Sequence, residues 1–213
     1  LKSTVLRRVA DGSREAEPIA TTDQRTYLNG IDPLEKLLWC SISPWRDFGD
    51  IATLGIGAGG APLTRIVSTP ANEYAATLSR NGEWIAYVSN ADGKRQVYAR
   101  RHDGSGPRWQ VSIDGGEEPH WSSDGREIFY RIDDRLMAAP VQAGRDLVIG
   151  KPALVFRGLY NLQSESSFSY DIDPTTGRFL MVRLADDRAG DPTMVLRVAV
   201  NWFTDLQRAV PAK

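Results

Sequence analysis

Short apolar runs, each introduced by a polar turn, recur along this chain. The first clear copy reads Leu78-Ser79-Arg80-Asn81-Gly82-Glu83-Trp84-Ile85-Ala86-Tyr87-Val88, and the second Trp121-Ser122-Ser123-Asp124-Gly125-Arg126-Glu127-Ile128-Phe129-Tyr130-Arg131. A looser copy runs Ile172-Asp173-Pro174-Thr175-Thr176-Gly177-Arg178-Phe179-Leu180-Met181-Val182. Asn-Gly and Asp-Gly suit the positive φ angles of tight hairpins, and the runs that follow are β-branched and aromatic, so each copy predicts strand, turn, strand. A third strand is expected over 95–100 and 135–141. A polar or Gly-rich turn and a short fourth strand then close the unit, as in His102-Asp103-Gly104-Ser105-Gly106 followed by Trp109-Gln110-Val111-Ser112.

Four antiparallel strands repeated every ~40 to 50 residues describe a blade of a β-propeller. A single twisted blade has two apolar faces and cannot bury both alone, so neighbours must stack around an axis. A worn copy is placed by Glu35 to Ser41, aligned with Glu83 to Ser89, and Thr4 to Val9 with Glu17 to Ala20 read as the outer strands of a further blade. The expected fold is all-β: about three full four-stranded blades plus two partial ones, forming part of a larger propeller. The boundaries are a part-blade at 1–21, blades at about 22–69, 70–115 and 116–157, a last part-blade at 165–200 and a tail at 201–213.

Composition narrows the partners. Of 213 residues, 26 are basic and 27 acidic, and the two signs are interspersed, so no basic stripe predicts a nucleic acid partner. The one cysteine, Cys40, excludes an internal disulfide framework and falls in a predicted strand, where a buried thiol is expected. No apolar run is long enough to cross a bilayer, so no membrane contact is expected from this segment. The first residue is leucine, so the chain reads as a piece of a longer one.

The stretch Glu118-Pro119-His120-Trp121-Ser122-Ser123-Asp124-Gly125, with Asn90 to Tyr98 and the Asp114-Gly115-Gly116 turn, resembles the TolB-type, WD-like β-propellers of bacteria. Ser123 stands where that pattern has a second proline. The end of the chain, Asp171 to Val182 and then Met194 to Leu206, resembles a narrower group. In that group a propeller follows a bacterial serine/threonine kinase domain, or a DNA-binding regulator domain, after a membrane span. The resemblance implies a sensing or protein-interaction module outside the membrane, extracytoplasmic or periplasmic. No kinase motif lies in the chain itself. A TolB-like periplasmic scaffold and the propeller gate of a prolyl-oligopeptidase-like hydrolase are the alternatives.

Candidate chemistry is sparse. Gly55-Ile56-Gly57-Ala58-Gly59-Gly60 has dinucleotide-loop spacing but precedes a strand-like run instead of a helix, so an outer loop is expected. His120, Ser122 and Asp124 fall within five residues on one strand and its turn, where side chains diverge instead of converging as a triad. No zinc pattern is present. Asp171 with Asp173, and Asp186, Asp187 and Asp191, read as solvated turn and loop acids, not as calcium ligands. On these grounds no catalytic residue, metal or cofactor is assigned, and this chain alone is expected not to be an enzyme. Alignment of the first strands places Thr77, His120 and Asp171 at equivalent positions, with Asn29 as a fourth. Two readings stay open for them: lining of a central channel, or hydrogen bonding to neighbouring blades. Trp202, Phe203 and Leu206 have helical spacing and predict a capping helix in the tail. The expected partner is a protein or small ligand, and exposed blade faces would promote self-association.

Overall fold

The computed structural model describes residues 2–32, 37–45, 48–56, 62–160 and 168–182, the side chains of 44, 45 and 48 apart. All of these belong to one compact unit, Leu1–Arg183. The expectations for the glycine-rich loop at 57–61, for Asp186, Asp187 and Asp191, for the strand at 194–200 and for the helix at 201–208 lie outside the described residues.

Every described element is a strand. β1 (Ser3–Arg7) pairs with β2 (Glu17–Thr22) as a two-stranded sheet. β3 (Arg25–Ile31), β4 (Leu37–Trp45), β5 (Phe48–Gly55) and β6 (Leu63–Val67) form an antiparallel meander in that order. β7 (Glu73–Leu78), β8 (Trp84–Ser89), β9 (Gln96–Arg101) and β10 (Trp109–Gln110) form the next. The third contains β11 (Glu117–Trp121), β12 (Glu127–Ile132), β13 (Arg135–Ala143), β14 (Leu147–Ile149) and β15 (Ala153–Arg157). One edge of the long β13 serves both β15, along Arg135–Ala138, and β14, along Val141–Ala143. β16 (Tyr170–Ile172) and β17 (Phe179–Met181) make a last hairpin.

The second meander explains the stacking. All six residues of β8 are buried, because both faces of the sheet are covered. Ile85 and Tyr87 pack towards the first meander, with Trp39, Ile51 and Val67. Trp84, Ala86 and Val88 point the other way and pack with Ile128, Tyr130, Ala139 and Val141 of the third. Strand alternation thus sends successive side chains into two cores, and each large one contributes about 1.5–3 kcal/mol of burial. Sheets leaning face to face in chain order are the blades of a β-propeller.

The repeat phrase builds its turns alike. Ser79 N–H donates to the Trp84 carbonyl and Gly82 N–H to that of Ser79, while the Ser79 hydroxyl accepts from Trp84 N–H at 3.0 Å. Ser122, Gly125 and Glu127 repeat the pattern, with 2.9 Å for the hydroxyl contact. Gly82 and Gly125 have φ of 75° and 71°, a conformation that a side chain disfavours. In the last copy Asp173 takes the place of the serine, and one extra residue separates it from Gly177.

Register corrects one part of the sequence alignment. Thr77, His120 and Asp171 sit opposite Ala86, Phe129 and Leu180, each two residues before the turn residue Ser79, Ser122 or Asp173. In the first meander that place, opposite Trp39, is held by Gly30, and Asn29 is the extra residue of a β-bulge. Trp39 therefore corresponds to Ala86 and not to Tyr87. The bulge itself recurs in β7 and β11; the error lay in the second strand, where matching Glu35 to Glu83 placed Leu37 one residue too far along, since the hydrogen bonds of the turn set Leu37 level with Trp84.

Candidate functional site

A groove opens between the second and third meanders. It encloses about 730 Å³ and is bordered by the two repeat turns, through Arg80 and Asn81 on one side and Asp124 and Arg126 on the other. Trp84, Trp121 and the 140–143 stretch of β13 complete its walls. The turns hold their polar groups still. The Ser79 hydroxyl lies 2.7 Å from Asn81 Oδ1, and the Ser122 hydroxyl 2.7 Å from Asp124 Oδ1. The Asp124 carboxyl is held below its usual range by the Ser122 hydroxyl and the Arg126 backbone N–H. Behind the groove, Arg101 lies 4.6 Å over the Trp84 ring, and Trp109 meets that ring edge-on at 5.5 Å. Two turns of mixed charge beside the half-buried Trp121, which Trp84 backs from within the core, suit an extended ligand with apolar and charged groups.

A second feature lies beside β11, towards the last hairpin. Glu118 has φ of 52° at a bulge, and its carboxylate is buried. It lies 3.6 Å from Arg131, itself 1% exposed, and both its oxygens accept from the Ser169 hydroxyl at 2.8 Å. Arg131 also donates to the Ser169 hydroxyl at 2.7 Å and to the Tyr160 carbonyl at 3.1 Å. The Tyr170 hydroxyl donates to the Glu118 carbonyl at 2.9 Å. The cluster ties the third meander to the last hairpin. Nothing in the residue spacing pointed to it; the one signal was a charged Arg131 on the same strand face as Phe129.

The residues singled out by alignment have distinct surroundings. The Thr77 hydroxyl donates to the Pro119 carbonyl of the next sheet at 3.0 Å. Asn29 Oδ1 accepts from the Ser41 hydroxyl at 2.8 Å, and that hydroxyl accepts from Ala75 N–H of the next sheet at 3.1 Å. The His120 ring lies 4.6 Å from both Phe168 and Tyr170, with its Nε2 enclosed and without a partner. Burial pushes His120 down to about 4, against the pull of Asp171. Asp171 itself is exposed, its carboxylate accepting from Ile172 N–H at 2.8 Å. Thr77, Asn29 and His120 each face a junction between sheets.

No family model and no curated protein matches the chain. Solved structures match it in fold. A protein assigned as TolB from Agrobacterium tumefaciens is 18% identical with a TM-score of 0.50, over 73% of this chain and 61% of that one. TolB from Acinetobacter baumannii is 14% identical with a TM-score of 0.50, over 70% of this chain and 36% of that one. The periplasmic gluconolactonase PpgL of Pseudomonas aeruginosa is 16% identical with a TM-score of 0.49, over 85% and 63%. The chain resembles TolB-like β-propellers in fold. It spans less than two thirds of each of these proteins, and identities this low speak for fold alone.

The expectation that this chain is not an enzyme is corrected here. Propellers of similar fold include named enzymes, the gluconolactonase among them. The physical reason is that stacked blades bring together side chains far apart in sequence. A search for contiguous motifs therefore does not exclude an active site. The exclusion is withdrawn on that ground, and no reaction is assigned.

Proposed function

We propose that this chain is a recognition module: a rigid stack of propeller blades that binds a protein segment or small ligand in the groove between the second and third meanders. The observation that carries this reading is the groove itself. Two repeat turns, fixed by the same hydrogen bonds, present Arg80, Asn81, Asp124 and Arg126 around the half-buried Trp121. Burial on both faces of β8 keeps the turns at a fixed separation, so little ordering is lost on binding. The sequence resemblance supports a finer reading, in which the module is the extracytoplasmic C-terminal part of a bacterial receptor-like protein kinase. The buried Cys40 suits an oxidising compartment, since it offers no exposed thiol there.

Panning a random peptide library on the chain tests the groove. Enriched peptides are expected to lose at least tenfold in affinity when Arg80→Glu and Arg126→Glu are combined. Enrichment of peptides indifferent to that double change would refute the assignment. For the finer reading, the coding sequence upstream of Leu1 should contain a kinase catalytic domain and a membrane span.

A further inference from the structure

The opposite face of the second meander borders another cavity, of about 640 Å³, against the first meander. Val67, Pro70 and Ala71 give it an apolar side, and Tyr87, Arg100 and Arg108 a polar one. Arg100 is the anomaly. It is half-buried, yet among the described residues it meets no carboxylate within ion-pair distance. Its guanidinium meets only neutral acceptors: the carbonyls of Gly104 and, at 3.4 Å, Gly106, and the Tyr87 hydroxyl. Its Nε is enclosed and has no partner.

The contrast with the other charges is informative. Arg131, fully buried, has Glu118. Arg108, more exposed, reaches both oxygens of Asp92 at 3.1 and 3.2 Å and lies 4.4 Å over the Tyr98 ring. The acid in the cavity wall, Glu73, spends its oxygens on Thr69 and on the Ser89 hydroxyl. Arg100 and Arg108 both act on the Tyr87 hydroxyl, each favouring its ionised form against the effect of burial. At Tyr87 the two cations outweigh the smaller opposing pull of Glu73, and Arg100, half-buried with neutral acceptors alone among the described residues, keeps a place for an anion.

We infer that this cavity binds a small organic anion, a phosphate monoester or a carboxylate with an apolar body, with Arg100 as its principal partner and Arg108 as its second. The apolar side takes the body of the ligand, and the planar guanidinium takes two anionic oxygens together. This site is independent of the peptide groove, which lies on the other face of the sheet.

The test is titration of the 213-residue chain with phenyl phosphate and, separately, phenylacetate, followed by backbone amide NMR shifts. At least one should saturate with millimolar or tighter affinity, shifting amides of 69–71 and 100–108, and should bind better than inorganic phosphate. Arg100→Met should weaken that binding at least tenfold and Arg108→Gln severalfold, with exposed Arg178→Gln unchanged. Should Arg100→Met fail to fold, Arg100→Lys and Arg108→Gln decide, each with a loss of threefold or more. No saturation by either compound up to 20 mM, or binding indifferent to the Arg100 and Arg108 changes, overturns the proposal.

Discussion

Acidification should loosen the junction between the third meander and the last hairpin, through His120. The ring is wedged between Phe168 and Tyr170, and its Nε2 is enclosed without a partner. Burial lowers its pKa from 6.5 to about 4 in the folded chain. Between these values the unfolded chain binds a proton that the folded chain does not, so stability rises with pH through this window. It is fully present above about pH 6.5, falls as pH drops, and levels off below about pH 4. At pH 5 the unfolded imidazole is nearly all protonated and the folded one about a tenth, a loss of about 2 kcal/mol relative to pH 8.

The assay is urea unfolding of the chain at pH 8 and pH 5, beside His120→Phe. With a urea slope of about 2 kcal/mol per molar, the wild-type midpoint should fall about 1 M more than that of the variant. Phenylalanine keeps an aromatic ring between Phe168 and Tyr170 but does not titrate. Other groups cancel in the comparison. The acids held below their usual range, Asp11, Asp103, Asp124 and Asp173, titrate below the window in both proteins. Glu73, raised by burial, works in the opposite direction in both. Equal falls in wild type and variant would refute a buried, neutral His120.

Three further outcomes follow from the same packing. Arg131→Met leaves the Glu118 carboxylate buried without its guanidinium and should cost about 3–5 kcal/mol by urea unfolding; adding Glu118→Gln should recover a large part, and a single-variant cost below about 1 kcal/mol would contradict the pairing. Cys40 is fully buried and pushed up to about 12 by burial, so a thiol reagent at pH 8 should label it only as the chain unfolds, and full labelling within minutes under native conditions would place it elsewhere. A Cβ added at Gly116 would meet Tyr130 Cδ2 at 2.8 Å and Ser112 Cβ at 2.9 Å, so Gly116→Ala should cost about 1–3 kcal/mol, seen as a thermal midpoint lowered by about 5 °C.

Much of the fold was legible because strand and turn signals are local. Asn81-Gly82 and Asp124-Gly125 marked hairpins, and Trp84 to Val88 read as a strand with two apolar faces, which is what covering both sides requires. The division of β13 between two partners was not legible, since both pair along one continuous apolar-polar run. The site was less readable than the fold. The groove between the turns, the Glu118–Arg131 pair and the Arg100 cavity each join residues from different strands or sheets, and their chemistry depends on burial that no local pattern encodes. Trp84 and Trp121 belong to the packed core between the two meanders and also border the groove.

The bulges show where local reading fails and why that matters here. In β7 and β11 two residues stand opposite one, and the first of each pair, Ala75 or Glu118, takes φ of 52°. Such a conformation costs a residue with a side chain about 1–2 kcal/mol, so its recurrence at equivalent positions calls for compensation. The compensation is contact between sheets. Ala75 N–H reaches the Ser41 hydroxyl of the preceding sheet, and the reset register lets Thr77 and His120 reach the following one. With the same backbone device, the change from alanine to glutamate places a buried carboxylate beside Arg131 and the Ser169 hydroxyl, which help to make it tolerable. One position of the repeat thus serves as plain packing in one blade and as a charged lock in the next, and backbone register, not residue spacing, tells the two apart.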